Sequence, residues 1–489
     1  MTGIDETAEA SAFGLDTEYK DMREGAAALC PQRLGLIGQG RSDKSYPLTK
    51  WTATSAAAAG ERYGYGSPIH LSLLMLMPAN GDGVGTIPVD VLPLEDAYEA
   101  VAAVGRITPT GTQTERSRVR VKVNKIAGAW FNVETDDNAG AIVDKIVSSC
   151  NGVLEMPALV TDGATYAIFT AKWAGSSGND LLIEVEAEAL GVTYAIIQPT
   201  GGSINPDVSG ALALIGPSWV TQVLNCLDIA DDDALDAYHE FAEGRWDPLV
   251  RKPLVFWTGN TEAVVATATA ESSSRKTARG LGQLTGPGCG NLPFMVAARQ
   301  LARILKVANS VPAKSYQKQK ANGLSPGDDS VQWDYASRDQ AVKAGSSTTE
   351  VVDGIIEIKD VVTFYRPTGE IPPGYQFAVN IVKLQNCIYN FSQEFEKEEW
   401  ASAPLVKNED VVTEPTARKP KDYEVKANQL LVSLGLRAIV ADVKAAKKKT
   451  RARINSNNPN RLDLTVEFPL SSNGNILNMT QTFGFLAGG

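Results

Sequence analysis

Around residue 106 the hydrophobic period of this chain changes. From 107 to 190 the segments RVRVKVN, AWFNVE, ATYAIFTAKW and DLLIEVEAE alternate apolar with polar residues and are rich in β-branched side chains. Such alternation marks strands with one buried face. One helical run interrupts them, AGAIVDKIVSSCN, with Ile142, Val143, Ile146 and Val147 on one side. A β-rich unit held between flanks of another rhythm reads as an inserted domain.

The flanks alternate strand and helix. QRLGLIGQG, residues 32–40, predicts a short buried strand ending in a glycine turn, and IPVDVLPL, 87–94, predicts a second strand. Between them, TKWTATSAAAAGERYGYGSPIHLSLLMLMPA predicts two short helices broken by glycines. Further on, NPDVSGALALIG reads as a helix that Asn205 or Asp207 can cap, and WVTQVLNCL as a buried strand. DDDALDAYHEFAEGRW reads as a helix with an acidic first turn. PLVFWTG predicts another strand and LPFMVAARQLARILKVA another helix. GIIEIKDVVTFY is strand-like and YQFAVNIVKLQNCIYNFSQEFEKEEW helical; 422–443 reads as a helix leading into a strand. The expected class is therefore α/β (α+β) and multidomain, consistent with 489 residues at roughly 150 per domain.

Composition removes several kinds of chemistry. There are two histidines and five cysteines. Cys30, Cys150, Cys226, Cys289 and Cys387 form no CxxC pair, so they read as reduced, buried thiols. His70 and His239 lie in no HxxxH or HExxH spacing, and Asp231, Asp232 and Asp233 lack the spacing of a calcium loop. No serine sits in a G-x-S-x-G elbow. No cofactor, metal or catalytic residue is expected. The nearest approach to a chemical motif is Gly35-Leu-Ile-Gly-Gln-Gly40-Arg41-Ser42. It has the spacing of a phosphate-binding loop, but Arg41 stands in place of the lysine and Pro47 disfavours a helix immediately after it. A nucleotide-binding enzyme built on 35–42 is the alternative this leaves.

Charge is more informative. The net charge of −11 argues against a global nucleic-acid surface. Locally, Lys444, Lys447, Lys448, Lys449, Arg451 and Arg453 reverse it, with no aromatic residue among them to stack on bases. They read as a solvated face or as a docking surface for an acidic protein. No apolar stretch approaches the ~20 residues that span a bilayer, and the acidic start, MTGIDETAEA, lacks the basic and apolar runs of a secretory signal. A soluble protein made in a cytoplasm is expected.

The two ends look unfinished. Residues 1–24 are acidic without an apolar period and read as an extended arm. At the other end Leu462, Leu464, Val466 and Phe468, then Ile476, Leu477, Met479, Phe483 and Phe485, suggest two strands joined by SSNGN. An isolated hairpin is marginal, so these strands need a sheet, their own or a neighbour's.

Read together, several segments resemble the tail sheath proteins of contractile-tailed bacteriophages. RLGLIGQGRSDKSYPLTKWTATSAAAAGERYGYGS is similar to the family's opening, with its "fG.GS" element at Tyr63, Gly64, Gly66 and Ser67. WAGSSGNDLLIEVE resembles a "GxxGND" element at Gly175, Gly178, Asn179 and Asp180. GRWDPL at 244–249 resembles "dRw.p". VVTFYRPTGEIPPGY resembles a strand and loop of the family, departing from it at Phe364 and Pro373. NNPNRLDLTVEFPL resembles the "dPNRldv" element at Pro459 to Asp463.

The resemblance implies a layered core assembled from N- and C-terminal parts of the chain, an inserted outer domain and extended terminal arms. The corresponding divisions are 1–24 (arm), 25–105 (first core part), 106–200 (insertion), 201–345 (α/β domain), 346–456 (C-terminal core) and 457–489 (arm). It gives Gly35, Gly38, Gly40, Gly178, Asn179 and Asp180 structural turn roles. It assigns Leu462, Leu464, Val466, Phe468, Ile476, Met479 and Phe483 to strand exchange between subunits. The implied partners are other copies in six-fold rings and a helical lattice, an inner tail tube, which the basic run would touch, and baseplate and tail terminator proteins. Nucleic acid is not contacted directly and no membrane is entered. Such a subunit sits in the virion tail after assembly in the host cytoplasm. Another virion or baseplate structural protein is the remaining alternative.

Overall fold

In the computed structural model, which describes residues 27–188, 191–367 and 374–475, the LGLIGQ run forms β1 (Leu34–Gln39) with all six residues buried. β2 (Trp51–Thr52), α1 (Ala56–Tyr63), α2 (Pro68–Leu76) and β3 (Val89–Leu94) follow. The two helices are those expected across the glycines. Ser55 and Ser67 cap them, each hydroxyl oxygen accepting a first-turn N–H, from Ala58 at 3.1 Å and from His70 at 3.3 Å. The chain turns between them through Gly64 and Gly66, at φ +94° and +82°, a region that costs a side-chain-bearing residue energy.

The alternating stretch forms β4 (Val104–Gly111), β5 (Ser117–Val123), β6 (Ile126–Ala127), β7 (Phe131–Val133), α3 (Ala139–Asn151), β8 (Ala158–Asp162), β9 (Ala167–Ala171), β10 (Ile183–Ala187) and β11 (Val192–Thr200). They build two antiparallel four-stranded sheets. In one, β5 pairs with β10, β6 and β7; the other has the order β11-β4-β9-β8. On β5 the period of two is literal: Ser117, Val119, Val121 and Val123 are buried and the residues between them are not. α3 buries Ile142, Val143, Ile146 and Cys150 among these strands.

The chain then returns to the first sheet through α4 (Ser209–Ala213), β12 (Gln222–Asn225), α5 (Asp232–Trp246), β13 (Val255–Asn260), α6 (Val265–Ala268), α7 (Ala270–Ser274), β14 (Leu281–Thr285), α8 (Pro293–Ser310), α9 (Tyr335–Ala344) and the hairpin β15 (Thr348–Val352) with β16 (Ile355–Asp360). The sheet order is β14-β13-β12-β1-β3-β2, parallel throughout except for β2. Apart from the two-residue β2, its strands are buried runs, as expected where helices cover a parallel sheet. α8 is buried almost all round and packs on α2 and β13. The approach is close: a Cβ on Gly259 would lie 1.7 Å from the Pro293 carbonyl oxygen.

Two local readings differ. α4 is only five residues, and neither proposed residue caps it: Val208 stands at its start. Asp207 instead accepts the Ser209 N–H, while the Asn205 amide oxygen accepts the Ser176 N–H at 2.8 Å. By contrast Asp231 does cap α5, accepting the Ala234 N–H at 3.1 Å.

α10 (Ala378–Phe395), α11 (Glu398–Ala401), α12 (Pro420–Leu436), α13 (Val443–Lys449), β17 (Arg451–Ile454) and β18 (Leu462–Thr465) complete the described chain. The strand expected directly after α12 is replaced by a turn into α13, with Asp442 at φ +39° accepting the Ala445 N–H. The chain divides into two units, the larger holding Leu29–Ile388 together with the stretch from Asn473, the smaller Ala27–Ala28 with Tyr389–Ser472. The smaller has its own aromatic cluster: Tyr423 stacks on Phe395 at 5.8 Å and meets the Trp400 edge at 4.9 Å. The mixed α/β, multidomain class read from the sequence is the one the chain adopts.

Candidate assembly interface

The glycine loop after β1 is closed from inside. Gly35 and Gly38 lie within the strand, where their missing side chains admit Val220, Val223 and Leu92, and the Cys226 Sγ. Gly40 leaves room for the Tyr46 ring, and its N–H donates to the Tyr46 hydroxyl at 2.9 Å. The next donors are also spent: the Arg41 N–H on the Tyr63 carbonyl, the Ser42 N–H on Lys172, the Lys44 N–H on Arg41. A phosphate cradle needs such N–H groups aimed outward at a helix start. Here no helix begins before Ala56, and the Ser42 hydroxyl donates to the Asp96 carboxylate. The loop is a structural turn, so the nucleotide reading loses its site.

The second set of turn residues is equally committed. Gly178 lies in a turn of 3-10 helix, Ser176–Asp180, where a Cβ would press on Ala103 and Ala171. The Asn179 side chain takes the Gly202 N–H at 2.8 Å and donates to the Gly202 carbonyl at 3.0 Å, mimicking a strand pair. The Asp180 carbonyl accepts from the Asn124 amide at 3.1 Å. These residues tie the turn to the sheets around it. His70 is buried and its Nδ1 accepts the Gly66 N–H at 3.1 Å. Among the described residues no group of His, Cys, Asp and Glu is placed to hold a metal ion. No described helix is long and apolar enough to cross a membrane.

The expected exchange residues fall in three places. Leu462 and Leu464 lie in β18, opposite Ile454 and Ala452 of β17 in the same chain. Val466 and Phe468 follow β18, and the Phe468 ring stacks on Phe391 at 6.3 Å. Ile476, Met479 and Phe483 lie outside the described residues. The second strand of the hairpin expected between 462–468 and 476–485 lies outside the described residues; within them β18 pairs with β17. The signal for β17 was the alternation Arg451-Ala-Arg-Ile454, which the density of positive charge obscured.

The β17–β18 sheet has two strands, and most of its residues are exposed or half-buried. Its β17 edge is partly covered: the Glu424 carboxylate on α12 accepts the Ala452 N–H at 2.8 Å. The β18 edge has no partner strand among the described residues. Beside it, Lys444, Lys447, Lys448 and Lys449 are exposed on α13, and Arg451 and Arg453 are exposed on β17. Cations at a helix C-terminus suit its dipole. Some are matched: Lys449 pairs with Glu467 at 3.2 Å, and Arg461 with Asp463 at 2.6 Å. Among the described residues Lys444, Lys447, Lys448 and Arg451 make no ion pair. The β18 edge thus leaves its main-chain groups without a partner strand among the described residues, with exposed cations in the same part of the chain.

A multidomain protein of mixed α/β architecture with an open strand edge is the class that fold and surface define. The comparisons make this particular. No family model matches the chain. In sequence it is 23% identical over 415 residues to the Mu-like prophage FluMu tail sheath protein of Haemophilus influenzae, covering 81% of each chain. Among solved structures, it is similar to sheath tail proteins from Desulfitobacterium hafniense (11% identity, TM-score 0.46, 91% and 93% covered) and Listeria innocua (11%, 0.48, 92% and 94%). It is also similar to the contracted helical sheath of the anti-feeding prophage (10%, 0.47, 97% and 99%). The resemblance to tail sheath proteins read from the motifs holds over most of the chain.

Proposed function

We propose that the chain is a structural subunit of a contractile tail sheath. It polymerises as stacked six-fold rings around an inner tail tube and contracts to drive the tube through a host envelope for genome delivery. The observation that carries this is the sequence similarity to a tail sheath protein along 81% of the chain. The open β18 edge supports it, since main-chain hydrogen bonds at such an edge bind an incoming strand with little dependence on its side chains. The apolar segment bearing Ile476, Met479 and Phe483 of one subunit is the strand offered to the β18 edge of the next. Leu462 and Leu464 are then the recipient side of the exchange.

Strands added in this way tether subunits while leaving them free to move as rigid bodies. Contraction draws its energy from additional burial between subunits, at about 25 cal/mol per Å² of apolar area. The β-rich insertion, 106–200, lies on the outside of the cylinder, and the cationic surface of α13 and β17 faces an acidic tube. Baseplate and tail terminator proteins bound the assembly in the virion tail, which is built in the host cytoplasm.

Negative-stain microscopy of the purified chain tests this, with a variant lacking residues 476–489 alongside. Hollow, ridged cylinders from the full chain and none from the shortened one are expected. Dispersed monomers from the full chain at every concentration, with and without tube protein, would overturn it.

A further inference from the structure

Two elements of the larger unit hold the roots of both terminal segments. On α10, Asn386 Oδ1 accepts the Cys30 N–H at 2.9 Å, and Lys383 Nζ donates to Asn473 Oδ1 at 2.8 Å. At the end of α8, Asn309 Oδ1 accepts the Gln32 N–H at 3.3 Å, and just beyond it the Ala313 carbonyl accepts from Asn473 Nδ2 at 2.7 Å. Cys30 and Gln32 lie near the start of the described chain and Asn473 near its end. On α10, Asn390 Nδ2 also donates to the Ala28 carbonyl at 2.8 Å, so each root is held both by α10 and by α8 or its continuation. Lys383 and Asn386 are three positions apart, so they share one face of α10, about one turn from each other.

Lys383 and Asn386 are both fully buried, where an apolar residue would cost less desolvation. Asn386 is itself held by its Nδ2, which donates to the Val382 carbonyl at 2.9 Å. Burial lowers the Lys383 ammonium from its usual range. These polar groups reach the chain where residues 29–32 enter the unit and where 473 rejoins it.

We propose that Lys383, Asn386, Asn309 and Ala313 form a shared clamp that couples the two terminal segments of one subunit. These are positioning residues: they set where each segment leaves the body, and loosening one root loosens the other through α10 and the end of α8. The inference rests on the sheath reading, in which both segments reach neighbours. In a contracting lattice a pull on one segment would then pass to the other through one helical turn. Coupling of this kind is reciprocal by linkage.

Hydrogen exchange on the full-length monomer tests it without assembly. Asn473→Ala removes both bonds of the C-terminal root. Exchange at the Cys30 and Gln32 amides is expected to quicken about ten-fold, while β13 amides stay as in the wild type. Asn473→Asp keeps an acceptor for Lys383 and is expected to restore most of the protection. Lys383→Met, read at the same amides, stands in if Asn473→Ala does not fold. Unchanged exchange at Cys30 and Gln32 overturns the clamp. So does acceleration spread evenly to β13, which marks a general loss of stability. Cylinders formed by the wild type would stand in either case, and their absence would count against the sheath reading alone.

Discussion

The Glu424 carboxylate on α12 accepts the N–H of Ala452 on β17 at 2.8 Å, so a side chain occupies the edge position that another strand would take. The two edges of a two-stranded sheet are thereby made unequal. Replacing Glu424 with Ala exposes the β17 edge and removes a charge-assisted bond. A loss of about 1–2 kcal/mol in denaturant unfolding is expected, together with disordered association. Glu424→Gln, which keeps the acceptor oxygen, should lie close to the wild type. Equal stability of the wild type and the alanine variant would show that the carboxylate does not guard this edge.

Gly259 has no room for a side chain, because α8 crosses β13 with the Pro293 carbonyl against it. Gly259→Ala must push the helix away or bend the strand. The upper range of overpacking, about 3 kcal/mol, is expected, read as a lower Tm. A change under ~0.5 kcal/mol, the size usual at an exposed site, would mean that the crossing is looser than described.

His70 gives the larger unit a pH dependence of known sign. Burial pushes its pKa from 6.5 down to about 4, with Glu155 and Lys172 as the nearby charges. The unfolded chain therefore binds a proton at a pH where the folded chain does not. The stability of the neutral ring is fully present above pH 6.5 and is lost as pH falls through 4, by roughly 3 kcal/mol in all. His70→Asn, which keeps an acceptor for the Gly66 N–H, should flatten the unfolding free energy between pH 6.5 and 4 relative to the wild type. Parallel curves for the two proteins would contradict the assignment.

Charge reversal on α13 addresses the tube. Lys447→Glu, Lys448→Glu and Lys449→Glu together should leave the fold intact, since all three are exposed. Tube-guided assembly should weaken several-fold at low salt. The difference should shrink near 0.5 M salt, where screening shortens the reach of surface charge to a few ångströms. Unchanged co-assembly at both salts would return these lysines to the role of a solvated face.

What the amino-acid order determined by itself was local. β1, α3, α8 and the capped start of α5 follow from burial runs, a 3.6 period and the Asp231 side chain, each acting within a few residues. The change of period near residue 106 announced the β-rich sheets for the same reason. The motifs carried the family resemblance through the turn and strand residues that stand in them, although their packing partners, such as Cys226 for Gly38 and Gly202 for Asn179, lie far along the chain. β14 escaped notice: Leu281-Gly-Gln-Leu-Thr285 has weak strand propensity and becomes a buried strand through its pairing with β13. β17 escaped for the opposite reason, its alternation hidden under positive charge.

Tertiary structure alone decided the rest. It spent two of the N–H donors after Gly38 on partners more than twenty residues away, Arg41 on Tyr63 and Ser42 on Lys172. It chose β17 as the partner of β18, and it brought Cys30 to Asn386 and Asn473 to Lys383. Hydrogen bonds between residues so distant depend on how helices and sheets pack, and no period or cap in the neighbouring sequence encodes them.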